Sequence, residues 1–132
     1  MAQHRNWKPA AYTSLSPYLV VSGAQQVIDF AQAVFGATEL RRFERPDGAI
    51  LHAEVRIDDS VLMLSDATDG YPPMPSMVHL YVPDVDLVFG KAIAAGATAV
   101  DAPRQHEGES DKRGVLADPC GNTWVLSTQM PG

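Results

Sequence analysis

Apolar and polar positions follow two periods along this chain, and the periods switch in the same order twice. Residues 16–21 (SPYLVV) set Pro17, Leu19 and Val21 on one side of a strand and Ser16, Tyr18 and Val20 on the other. The period then lengthens. Val27, Ile28, Ala31, Val34 and Phe35 share one face of a helix. Ser22, with Gln25 three residues on, predicts a capping box at its start. Gly36 supplies the left-handed stop. A second strand follows at 38–43, then the turn Pro46-Asp47-Gly48. Strand three, 50–57, alternates Leu51, Ala53, Val55 and Ile57 with His52, Glu54 and Arg56. Asp58-Asp59-Ser60 turns the chain into strand four at 61–65. The order is β-α-β-β-β.

The same order returns from residue 77. Strand five is 77–82, and Asp84 is a good N-cap. Val85, Val88, Phe89, Ala92 and Ile93 form the apolar stripe of a second helix, which Gly96 ends. Strand six is 98–102. The polar run 103–113 (PRQHEGESDKR) reads as a mobile loop, able to act as a lid. Strands seven and eight, 114–117 and 123–128, are joined by Asp118-Pro119-Cys120-Gly121-Asn122. Residues 16–40 and 77–100 are two copies of one unit, offset by 61 residues at Val21/Val82 and by 60 at Gly36/Gly96. Such a repeat predicts two modules related by a pseudo-two-fold axis. The expected organisation is a tail at 1–13, with Trp7 as its anchor or simply a partly exposed ring, a first module at 14–66, a Pro-rich linker at 67–76 and a second module at 77–129. Together they make one compact domain.

Composition narrows the function classes. Apolar residues make up 45% and charged residues 20%, as in a soluble globular domain. The net charge of −6 argues against nucleic acid, which attracts a basic face. Cys120 is the one cysteine, so no disulfide forms within the chain, and a reducing compartment fits. The first 13 residues carry no apolar signal core, and no run approaches membrane-span length. A cytoplasmic protein with no membrane partner is expected. No phosphate loop or dinucleotide fingerprint is present, and Gly108-Glu109-Ser110 lacks the context of a nucleophile elbow. Cys120 reads as a turn residue.

The stretches SPYLVV, IDF, FGA, HAEVRIDDSVLMLSD, HLYVPDVD, AAGAT and DPCGNTW, in this order and with the duplication, resemble the vicinal-oxygen-chelate superfamily of glyoxalase, bleomycin-resistance proteins and dioxygenases, and within it the PhnB-like branch. The resemblance covers residues 16–128. It implies an α+β fold of two tandem βαβββ modules whose sheets curl into an eight-stranded cup. In the metal-dependent members four ligands face the cup, two in the first strand and two in the last strand of the modules. The positions matching them here are Ser16, Met77, Met63 and Val125. None is His or Glu, and this set does not suit a divalent metal. No metal and no cofactor are therefore expected.

By strand parity the cup is lined by Tyr18, Val20, His52, Glu54, Met63, Met77, His79, Tyr81 and Val125, opposite a helix-facing set of Leu19, Val21, Ala53, Val55, Leu62, Leu64, Val78, Leu80 and Val82. Trp124 has the opposite parity to Val125 and is placed in the core against helix two. His52 and Glu54 suit ligand contact or a structural network equally. Glu54 on a wet cavity would matter more for binding than for stability. Two functions fit. One is a bleomycin-resistance-like protein that holds a small apolar or aromatic molecule in its cup without the metal, for sequestration or resistance. The other is a lyase- or isomerase-type enzyme using His52, Glu54 and His79 as acid/base groups or displaced metal ligands. The superfamily pairs modules within or between chains, and a ten-residue linker can span about 33 Å, which permits either. A homodimer with shared cups is expected.

Overall fold

Two parallel strand pairs organise the molecule, one in each half of the chain, and the computed structural model describes residues 7–132. In the first half β1 (Tyr18–Val21) leads into α1 (Ala24–Phe35), followed by β2 (Thr38–Glu44), β3 (Ile50–Ile57) and β4 (Ser60–Asp66). In the second, β5 (Met77–Tyr81) precedes α2 (Val85–Ala94), β6 (Thr98–Gln105), β7 (Asp111–Ala117) and β8 (Thr123–Gln129). The strands form two four-stranded sheets, ordered β1-β4-β3-β2 and β5-β8-β7-β6. In each sheet the helix-preceding strand pairs parallel with the last strand, and the remaining pairs are antiparallel. This is the α+β architecture expected from the repeat. The sheets do not close on one another.

One face of each sheet packs on a helix. Leu19, Val21, Ala53, Val55, Leu62 and Leu64 are buried there, and Val78, Leu80 and Val82 pack against the same cluster. That cluster joins both halves: Trp124 of β8 stacks on Phe35 of α1 with centroids 5.0 Å apart, and Phe30 lies 6.3 Å away. Trp124 is thus in the core, as parity requires, but its aromatic neighbours lie on α1 and not on helix two. Its indole Nε1 donates to Asp118 Oδ2 at 2.8 Å, which removes the cost of burying the N–H.

Local capping departs from expectation in one place. The N-cap of α1 is Gly23, with φ 107°, and no side chain at the helix start bonds its amides. Asp66, at the end of β4, reaches across instead. Its Oδ1 accepts from Gly23 N at 3.1 Å and Ala24 N at 2.8 Å, and its Oδ2 from Ile50 N at 2.7 Å. A carboxylate from a neighbouring strand supplies charge that the Ser22 hydroxyl lacks at the positive helix end. Asp84 caps α2 as expected, accepting from Leu87 N at 3.2 Å.

The polar run 103–113 is mostly strand. Residues 103–105 continue β6, residues 111–113 open β7, and Arg104 pairs with Arg113 and Gln105 with Lys112. Only 106–110 remain as a turn. Polarity here marks the outer end of an edge hairpin, which water reaches on both faces, and not a lack of pairing. The lid expected at 103–113 is accordingly reduced to this short turn. No described helix is long and apolar enough to cross a membrane.

Candidate functional site

The first sheet turns its other face outward, and parity sets Tyr18, Val20, His52, Glu54 and Met63 on it. Tyr18, Met63 and Glu54 are direct neighbours across β1, β4 and β3. A polar chain crosses this face. Tyr18 Oη lies 3.1 Å from His52 Nδ1, and His52 Nε2 lies 2.7 Å from Glu54 Oε2. With Glu54 ionised, Nε2 carries the proton, and in the neutral ring Nδ1 accepts from Tyr18. Phe43 flanks the imidazole on the other side, stacked at 6.4 Å.

Glu54 is only 3% exposed, not the water-facing group expected, and it borders a small cavity of about 280 Å³ with Tyr12, Arg41 and Met63. Residues 7–17, read from sequence as mostly tail, cross the sheet here. Tyr12 Oη donates to Glu54 Oε1 at 2.5 Å, and Arg41 Nε stands 3.5 Å from the same oxygen. The Arg41 and Arg56 guanidinium carbons lie 5.3 and 5.8 Å from the Tyr12 ring centroid. Burial pushes the Glu54 carboxyl up, but the hydrogen bonds from Tyr12 and His52 and the Arg41 charge outweigh it and hold the group below the usual carboxylate range. The bond to Glu54 in turn raises the Tyr12 phenol.

Beside this cluster lies a cavity of about 700 Å³, lined by Tyr18, Val20, Leu51, Tyr71 and Met74 among others. Three of these were not anticipated as lining. Leu51 alternates with His52 in sequence and should face the helix. A register shift between Phe43 and Glu44 instead buries Ile50 (2% exposed) and turns Leu51 outward. Tyr71 and Met74 belong to the linker, which folds back so that Met74 N donates to Val20 O at 2.9 Å and extends the β1 edge.

Met77, His79, Tyr81 and Val125 lie on the second sheet. His79 is the direct neighbour of Val125. His79 Nε2 lies 2.9 Å from Ser127 Oγ, its ring meets Tyr81 edge-on at 4.7 Å, and Tyr81 Oη donates to Asp111 Oδ2 at 2.7 Å. Among the described residues no hydrogen bond or ion pair joins His79 to His52 or Glu54. The candidates therefore fall into two clusters, one on each sheet. A separate cleft of about 490 Å³ lies between α1 and β5, with Asp58 its one charged lining residue. Cys120 Sγ points at the Ser22 and Gly23 carbonyls. Burial, then the nearby Asp118 and Asp66 charges, push its thiol up, away from nucleophilic reactivity.

A family profile described as the Glyoxalase/Bleomycin resistance protein/Dioxygenase superfamily matches residues 11–126. The chain belongs to this superfamily. An uncharacterized protein of Mycobacterium bovis is 41% identical over 124 residues, covering 86% of this chain and 81% of its own. Among solved structures, TioX from Micromonospora sp. ML1 superposes with a TM-score of 0.74 at 22% identity, over 89% of this chain and 99% of that one. TnmS3 from Streptomyces sp. CB03234, described as an antibiotic binding protein, gives 0.70 at 22% identity, over 92% and 99%. Likenesses at this identity establish the fold. Within the superfamily, the chain places an aromatic and aliphatic cavity beside a buried, hydrogen-bonded carboxylate.

Proposed function

We propose that this superfamily member binds a small apolar or aromatic molecule on the open faces of its sheets, without the family metal, in sequestration or resistance. The observation that carries the reading is the 700 Å³ cavity, where Tyr18, Leu51, Tyr71 and Met74 supply apolar surface and Arg45 and Asp66 a few polar groups. The antibiotic-binding description of a protein with the same fold supports it.

The residues at the inherited metal positions do not fit a metal. Ser16 offers one hydroxyl, whose Oγ is buried without a partner, Met63 and Met77 offer thioethers, and Val125 offers nothing. A displaced site on Glu54 would compete with Tyr12, His52 and Arg41. Among the described residues no three His, Cys, Asp or Glu side chains group as metal ligands. The enzymatic alternative loses support for the same geometric reason, since His79 stands apart from His52 and Glu54.

A homodimer is part of the proposal. The open faces leave Met77 and Tyr81 71% and 60% exposed on the second sheet, Leu51 54% exposed on the first, and Met74 of the linker beside it 61% exposed. A second copy, related by a two-fold axis, would cover both faces and complete the cups. The experiment is elemental analysis with thermal melting. The purified protein is expected to hold far less than one equivalent of divalent metal, and chelator to leave the melting temperature unchanged. One equivalent of metal, with a lower melting temperature on chelation, overturns the metal-free reading.

A further inference from the structure

Tyr12 occupies its pocket as a ligand would. Its ring lies near two guanidinium groups, and its hydroxyl rests on a carboxylate that is itself 3% exposed. The segment carrying it is weakly held. Among the described residues, three hydrogen bonds join residues 7–17 to the sheet: Tyr12 Oη to Glu54, Arg56 Nη1 to Ala11 O at 2.8 Å, and Met63 N to Pro17 O at 3.0 Å. Other bonds stay within the segment, such as Lys8 Nζ to Ser14 Oγ and Tyr12 N to Pro9 O. Ala11 sits at φ 64°, a left-handed conformation disfavoured for a residue with a Cβ. Trp7 and Leu15 are exposed. A segment with few buried contacts, few bonds and a strained residue opens at low cost.

From this geometry we infer that residues 7–17 form a displaceable strap, that Tyr12 is its internal pseudo-ligand, and that a hydroxyaromatic ligand takes the place of Tyr12. The inference rests on the proposed binding function and adds the ligand class. A phenol donates to Glu54 as Tyr12 does, and its ring meets the same Arg41 and Arg56 cations. The Glu54 pocket and the larger cavity share one sheet face, with Met63 beside Glu54 and Tyr18. An aromatic body lying against Tyr18 and Leu51 could thus carry its hydroxyl to Glu54. His52 bonds the other carboxylate oxygen, Oε2, which Tyr12 leaves untouched.

The test uses 2-naphthol and 2-methoxynaphthalene as probes, titration calorimetry for affinity, and hydrogen exchange of residues 8–17. Saturating 2-naphthol is expected to speed exchange across the strap of the unaltered protein. Tyr12→Ala, which vacates the pocket, is expected to bind 2-naphthol about tenfold tighter, because the competent state no longer competes with the strap. 2-Methoxynaphthalene, with no proton to donate, should gain nothing. Adding Glu54→Gln should erase the difference between the probes. If Tyr12→Ala fails to fold, Tyr12→Phe keeps the ring and is expected to give a gain of about threefold. Equal 2-naphthol affinity with and without Tyr12, or strap exchange unchanged by the probe, overturns the strap. If both probes then still bind, the proposed binding function stands without it. If neither binds any form of the protein, both fall.

Discussion

Asp66 gathers the amides of Gly23, Ala24 and Ile50 and so ties the start of α1 to the first sheet. Burial pushes its carboxyl up, but the three backbone bonds outweigh it, and the pKa is lowered. A lowered folded pKa gives stability that is complete above the unfolded value of about 3.9 and is lost as pH falls through the folded one. The chain should therefore lose stability steeply below about pH 4, with Glu54 adding in the same sense. Asp66→Ala is expected to cost about 1–3 kcal/mol at pH 7, since it leaves amides without an acceptor. It should also flatten the acid limb, as read by urea unfolding across pH. Residues like Asp66 were only partly legible. Its place at the end of the first module was legible, but its reach to Gly23, Ala24 and Ile50 is tertiary. Tyr12 was not legible as a site residue, because nothing local distinguishes a docked aromatic in a polar terminus from an exposed one. His52 and Glu54 were legible as a pair on one face because strand parity is strict over 52–57.

At the scale of elements, β6 and β7 carry the second sheet over α2, and one glycine allows their approach. A Cβ on Gly114 would meet Phe89 Cδ2 and Pro103 Cγ at 3.0 Å each. Gly114→Ala is expected to destabilise by about 1–3 kcal/mol through overpacking, measured by chemical denaturation. Phe89 cannot retreat cheaply, since it is buried on α2. The helices and central strands were legible because one buried face imposes a clear period. The edge hairpin at 103–113 was not, because an edge strand exposed on both faces leaves no apolar alternation to read. The turn of Leu51 to the open face was hidden for a related reason. A bulge shifts parity by one residue without leaving a mark such as glycine.

The whole molecule follows from the duplication. Two copies of one unit give two sheets, and Trp124 against Phe30 and Phe35 fuses them through a common core. That core uses the helix-facing sides of both sheets and leaves the opposite sides open, with Tyr18, Phe43, Leu51, Met74, Met77 and Tyr81 exposed. Light scattering at micromolar concentration is expected to give twice the 14.3 kDa chain mass, and a monomer would count against shared cups. The architecture was legible because the repeat spans nearly the whole chain. How the two halves meet was not, since the Trp124 contact with α1 joins residues far apart in sequence and no local period encodes it.

Native mass spectrometry of the protein purified from its own organism tests the central claim most directly, because it weighs metal, ligand and partner copy together. The account predicts a dimer that carries a small organic molecule and no divalent metal. A protein that carries one metal ion per chain, released by chelator, would contradict it.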